Sequence, residues 1–279
     1  FEFLTFSILS WELTGNAAIV GYIMTARFFS LAVTGLFFSA KGSLFSGQKV
    51  MIYFTGICSF FSLIVFLSFL INLNLELIGL FLISALSGSL WSVDFSFRRR
   101  MLGDALPDHL ISSGVSIDVL STHATRLIGP IAGGIFLTYL EPNFIFLFLS
   151  VLYFFSTYLI FYEKDNNQFS NKKSSFKELF SVVISEVLKK PILITVILLT
   201  PLFNIFGLPF LSLIGILVIE KFAINPFNTG IIVSVEGLGA FIGGVLISAF
   251  PPIRKQLFFC LTLFLLFVFI SSIAISTNL

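Results

Sequence analysis

The sequence predicts an all-α, polytopic membrane protein with about eight complete spans and one partial span. Three observations predict it. The chain of 279 residues is 57% hydrophobic and only 11% charged, where an ordinary soluble domain carries roughly 25% charge. Its mean hydropathy is +1.06, more apolar surface than a globule of this size disposes of in one core. The apolar residues gather into runs of membrane-crossing length, joined by short connections whose charge alternates. Together these exclude a soluble enzyme, a nucleic-acid binder and a disordered chain. The 38 Phe residues read as lipid-facing or packing groups. Cys58 and Cys260 both fall inside apolar runs, so they form neither a disulfide framework nor a metal-ligand spacing.

A crossing helix needs about 20 mostly apolar residues, and each run meets that need between polar stops. Phe1–Trp11 is the partial run, closed by the turn Glu12–Asn16. Ala17–Ala40 follows it and ends at Lys41; Val50–Ile71 begins after Lys49 and ends at Asn72–Glu76. Leu77–Phe97 stops at Arg98, Arg99 and Arg100. Val115–Leu140 comes after Pro107, and Phe144–Tyr162 after the short Glu141–Asn143. Beyond a polar stretch lie Ile192–Ile219, Thr229–Phe250 and Leu257–Ile275, separated by Glu220–Asn228 and by Arg254 with Lys255.

Thirteen of the 16 Lys and Arg fall in alternate connections; the intervening ones hold only Lys221, and Arg27 and Arg126 lie within spans. That is the positive-inside pattern, which sets the basic loops in the cytoplasm of a cell membrane, a bacterial inner membrane in this reading. The stretch 163–190 is polar, basic and rich in Asn, Ser and Lys. It reads as a cytoplasmic linker between an N-terminal membrane bundle, 1–162, and the start of a C-terminal one, 191–279. Phe176–Leu188 within it is either an interfacial helix or plain loop. Residue 1 is Phe and only four residues follow the last run, so a piece of a longer chain is expected, with about three further spans after Leu279.

The second and eighth spans match at one constant offset. Gly21, Thr25, Arg27 and Gly35 fall on Gly230, Ser234, Glu236 and Gly244. Either this is chance among Gly-rich helices or the halves repeat in parallel, six spans apart, around a midplane site.

Trp11-Glu-Leu-Thr-Gly-Asn16 with the apolar helix holding Arg27, the stretch Arg126-Leu-Ile-Gly129-Pro130-Ile-Ala-Gly133-Gly134, and Gly230 through Gly244 resemble the major facilitator superfamily, and within it the drug, siderophore and macrolide efflux branch. The resemblance covers essentially the whole chain. It implies two helical bundles around a central cavity, here lacking most of the first helix and the last three, that work by alternating access. It implies a secondary transporter, an exporter of small amphipathic molecules driven by proton exchange, working as a monomer without cofactor, metal or nucleic acid. The loop after the second helix keeps Lys41 and Lys49 but lacks the acid usual there. An importer of the same fold is the runner-up. A membrane-embedded enzyme would need a surface cluster, for which His109 with Asp104 and Asp108 is the candidate; these read better as a turn and helix start. No phosphate-binding loop ending Gly-Lys-Ser/Thr is present to support ATP-driven transport.

Charges inside the bilayer cost at least about 2.5–3.5 kcal/mol each, so they pair or face water. Asp94 and Arg98 stand four apart, acid first, and share a helix face, either as an anchoring pair or in a substrate role. Asp118, Thr122 and Arg126 follow at steps of four and form a polar stripe. Gly129, Gly133 and Gly134 permit close helix approach, and Pro130 removes the donor to the Arg126 carbonyl; the stretch is either a gate or packing alone. His123 lies off the stripe and reads as structural. In the resembled fold the fifth and eighth helices pack across the two halves, so Arg126 is expected to meet Glu236 there, and protonation of Glu236 would release it. Arg27 is expected to face a helix beyond this sequence.

Overall fold

The computed structural model describes residues 1–41, 45–71, 73, 75–162, 185, 188–190, 194–195, 198–199, 208–222, 224–249 and 255–275. Its elements are α1 (Glu2–Thr14), α2 (Ala17–Lys41), α3 (Gly47–Leu70), α4 (Glu76–Ala105), α5 (Asp108–Tyr139), α6 (Phe144–Tyr162), α7 (Leu208–Phe222), α8 (Pro226–Ala249) and α9 (Lys255–Ile275). Among the described residues there is no strand. A backbone in hydrocarbon must satisfy its own polar groups, and the helix does so within one segment. The interfacial helix expected near Phe176–Leu188 and the beginning of the Ile192–Ile219 run fall mostly outside the described residues.

Five of these helices, α2, α3, α4, α6 and α8, are long and apolar enough to cross a membrane. α5 is long enough but carries the polar stripe. Three expected boundaries are corrected. Arg98, Arg99 and Arg100 lie inside α4, and α5 starts seven residues before Val115, so only Leu106 and Pro107 separate the two helices. Arg, Met and Leu are good helix formers, and nothing before Pro107 stops the helix once it leaves the bilayer. α7 likewise runs past Ile219 to Phe222.

Side-chain caps start the helices after short turns. The Ala18 N–H donates to Asn16 Oδ1 at 2.9 Å, and the Asn228 N–H to Asn225 Oδ1 at 2.9 Å. These two asparagines stand at the same offset as Gly21 and Gly230, which adds a capping position to the α2–α8 match. Gly15 ends α1 at φ 59°, a left-handed conformation that favours glycine.

α1 stands at the centre, against α2, α4, α5 and α7, and Leu4 through Ser10 are all buried. Phe6, Leu9, Ile23, Leu80, Ile83, Phe146 and Leu149 form the main apolar core around it. α2 packs on α4, α3 on α4 and α6, and α5 on α8. The outward faces carry large apolar residues, among them Phe29, Tyr53, Phe154 and Phe161, as a lipid-facing surface does.

Candidate functional site

Where α2 passes α4 and α5 passes α8, glycine brings backbones together. A Cβ on Gly88 would lie 2.0 Å from the Arg27 carbonyl oxygen. A Cβ on Gly230 would lie 2.5 Å from the Pro130 oxygen, one on Gly134 2.6 Å from the Pro226 oxygen, and one on Gly237 2.6 Å from the Arg126 carbonyl carbon. The expected glycine motif therefore serves two neighbours. Gly134 faces α8, while Gly129 and Gly133 face Phe1 and Thr5 of α1. Pro130 has no N–H for the Arg126 carbonyl, and Gly237 covers that group with a bare Cα, a geometry suited to a weak Cα–H···O contact.

On this frame the ion-paired side chains among the described residues form three groups. In the first, Arg27 Nη2 donates to Glu2 Oε2 at 2.7 Å, Tyr153 Oη donates to Glu2 Oε1, and the guanidinium sits 4.4 Å from the Phe3 ring centroid. Arg27 and Glu2 side chains are 8% and 11% exposed. Arg27 thus points into its own bundle and not toward a helix beyond this sequence. Glu2 escapes a sequence reading because it stands at the first turn of a partial run, where a charge counts as a boundary.

In the second group, Arg98 meets Asp94 at 3.2 Å along α4 and also pairs with Asp118 of α5. The i,i+4 pair was legible; the sharing of Arg98 was not, because it depends on how α4 packs on α5. Asp118 is consequently tied across helices, not along the stripe to Arg126. In the third, Arg126 Nη2 lies 3.0 Å from Glu236 Oε1, with side chains 42% and 37% exposed.

Two clefts lie on the side of the second and third groups. One, of about 720 Å³, is bounded by α2, α4 and α5. Phe28, Trp91 and Phe95 give it an apolar wall, and Arg98, Asp118, Thr122 and Arg126 a polar edge. The other, of about 520 Å³, lies between α5 and α8. The clefts share His123 and Val119, and His123 Nδ1 is buried with no hydrogen-bond partner among the described residues. From the sequence His123 reads as structural. Its position one step off the stripe carried no signal, since only the crossing of α5 over α8 puts it beside Gly244.

Among the described residues no three His, Cys, Asp or Glu side chains converge as a metal site. The side chains of Asp104 and Asp108, weighed above beside His109, fall outside the described set. A family model described as Major Facilitator Superfamily matches residues 2–279. No curated protein matches the chain significantly.

Proposed function

The chain belongs to the major facilitator superfamily, whose members are membrane transporters of small molecules, and from that premise we propose that it is a proton-coupled exporter of small amphipathic molecules working by alternating access about the α5–α8 seam. It is a multi-pass membrane protein. In this proposal it sits in the cell membrane with its basic loops and the 163–190 linker in the cytoplasm, the linker dividing bundle 1–162 from bundle 191–279. The efflux branch is favoured by the Gly129-Pro130 motif and by the cleft that pairs aromatic walls with a polar edge.

The observation that carries the reading is the Arg126–Glu236 pair. It sits on the seam where backbone contact at Gly134, Gly230 and Gly237 gives way to clefts. The pair is half-exposed, so it adds little to stability. That suits a contact made and broken each cycle. A proton on Glu236 leaves Arg126 without its counter-ion, and the seam loses its one charged tie among the described residues. The close half lies at the non-basic end, so with the basic loops inside, the clefts open inward, ready to load cargo for export. Asp94, Arg98 and Asp118 line or flank the same cleft and hold α4 to α5 as it moves; Arg27 does the same for α1 and α2.

Flux in proteoliposomes under an imposed pH gradient, with a panel of amphipathic dyes, tests the reading. Arg126→Glu and Glu236→Arg are each expected to stop proton-driven efflux, and the double exchange to restore it. Efflux lost in both single variants and in the exchange would remove the support for direct pairing. Dye movement insensitive to the gradient would remove proton coupling.

A further inference from the structure

The cleft between α5 and α8 differs from the central one in what surrounds it. Its outer walls carry one hydroxyl, Ser116, and are otherwise apolar, formed by Val115, Ile117, Leu120, Phe241 and Val245, of which Ile117, Leu120 and Val245 stand on the outward surface. A groove with apolar walls that opens on a lipid-facing surface is wetted by acyl chains, not by water. At its inner limit it meets the cleft bounded by α2, α4 and α5, and only the side chains of Val119 and His123 are common to both linings. Gly244 keeps the α8 side of this neck open: a Cβ there would only just touch the His123 ring, at 3.8 Å.

One polar atom at the neck and one beyond it, in the central cleft, lack partners among the described residues. His123 Nδ1 and Arg98 Nε are both buried and have no hydrogen-bond partner among the described residues, and both residues line the central cleft. A buried polar atom without a partner is costly, and a ligand that brings an oxygen acceptor relieves Arg98 Nε–H, and also His123 Nδ1 in the tautomer that carries its proton there. Arg99 stacks on Phe95 at 4.1 Å on the same cleft and adds a positive charge beside an aromatic surface. An apolar groove thus leads from the hydrocarbon to a neck and then to donors.

We propose that the α5–α8 cleft is a lateral portal through which an amphiphile with an apolar tail and an anionic or acceptor-bearing head moves from the bilayer, past Val119 and His123, into the central cleft. The occupant comes from the membrane and not from the aqueous phase, because the outer walls of the groove carry no charge. This inference rests on the reading of the central cleft as the transport cavity, and it adds the route and the head-group chemistry.

A photoreactive fatty acid with a diazirine in its chain, incorporated into nanodiscs holding the full chain, tests it. Mapping of the labelled residues is expected to find them on α5 and α8 at the cleft and on Trp91 or Phe95 in the central cleft, well above the lipid-facing positions Phe154 and Phe161 of α6. Val119→Trp fills the neck and is expected to cut central-cleft labelling roughly tenfold, the effect of forcing a bulky ring into a fitted space, while labelling of the outer groove persists. Gly244→Leu narrows the same neck from the other helix and gives the same result if Val119→Trp does not yield folded protein. His123→Phe keeps the size and removes the donor, and is expected to lower central labelling by the fatty acid but not by the matching diazirine alkane. Groove labelling no higher than on α6, or central labelling unchanged in both neck variants, overturns the portal. Efflux that fails while this labelling pattern holds counts against proton-coupled export and not against the portal.

Discussion

α3 against α6 and α5 against α8 are both long antiparallel helix pairs, yet they are joined by different chemistry. α3 and α6 are fastened by side chains. Ser59 and Ser150 each donate to the other's carbonyl at 2.9 Å, Thr157 donates to Thr55 at 2.8 Å, and Gln48 Nε2 donates to the Ile160 carbonyl at 2.8 Å. Phe69 stacks on Phe146 at 5.7 Å. α5 and α8 have no such ladder among the described residues. They touch through glycine at Gly134, Gly230 and Gly237, and one half-exposed ion pair spans them. The first pair resists sliding because each hydrogen bond fixes a register, and a polar group stranded in hydrocarbon is costly. The second lacks such register-fixing bonds, and dispersion between surfaces survives a shift that hydrogen bonds do not. The α3–α6 contact is held in one register by side chains, and the α5–α8 contact is not, which is the difference the proposed alternating access requires.

The contrast can be broken from either side. The largest effect is expected at the buried Arg27–Glu2 pair, which belongs to the fixed kind. Arg27→Ala leaves Glu2 without a counter-ion, with only the Tyr153 hydroxyl on it, and is expected to cost about 3–5 kcal/mol, read as loss of monodisperse protein or a steep fall in melting temperature. Gly88→Ala and Gly237→Ala separate the two kinds at equal chemistry. Each sets a methyl against a backbone that cannot yield, at an expected cost of about 1–3 kcal/mol. Gly88→Ala is expected to lower thermal stability first, whereas Gly237→Ala is expected to abolish flux in protein that still folds. Ser150→Ala removes one member of the α3–α6 ladder and is expected to cost about 0.6 kcal/mol, the mean for hydrogen bonds between membrane helices, with flux retained. The smallest stability change is expected for Arg126→Gln, at most about 1 kcal/mol, with proton-driven efflux lost all the same. An Arg126→Gln variant that melts as early as Arg27→Ala would erase the distinction.

Most of the fold was legible because hydrocarbon imposes a simple rule. Runs such as Val50–Ile71 and Phe144–Tyr162 declare their helices by length and composition, and α3 and α6 match them within a few residues. The basic end of α4 was read short because a helix leaving the bilayer carries no apolar mark, and Arg98–Arg100 looked like loop. At the site, the partners of Asp94 and Arg126 were readable, the first from spacing along one helix and the second from the resemblance. Glu2, Tyr153 and His123 were not. Each owes its place to a crossing between helices distant in sequence, such as α1 with α6, and no periodicity within one segment encodes that. The seam glycines fall between: Gly134 and Gly230 were visible as small residues, but only their facing carbonyls tell which neighbour each one admits.

α1 and α2 are joined twice. At one end the chain turns in two residues, Gly15 and Asn16, and about 15 Å away, at 1.5 Å per residue, the carboxylate of Glu2 grips Arg27. Leu4 of the same helix meets α7, against Gly215. A hairpin pinned at both ends holds α1 and α2 as one unit, and Leu4 against Gly215 of α7 and Gly88 of α4 against the Arg27 carbonyl are the places where that unit meets its neighbours.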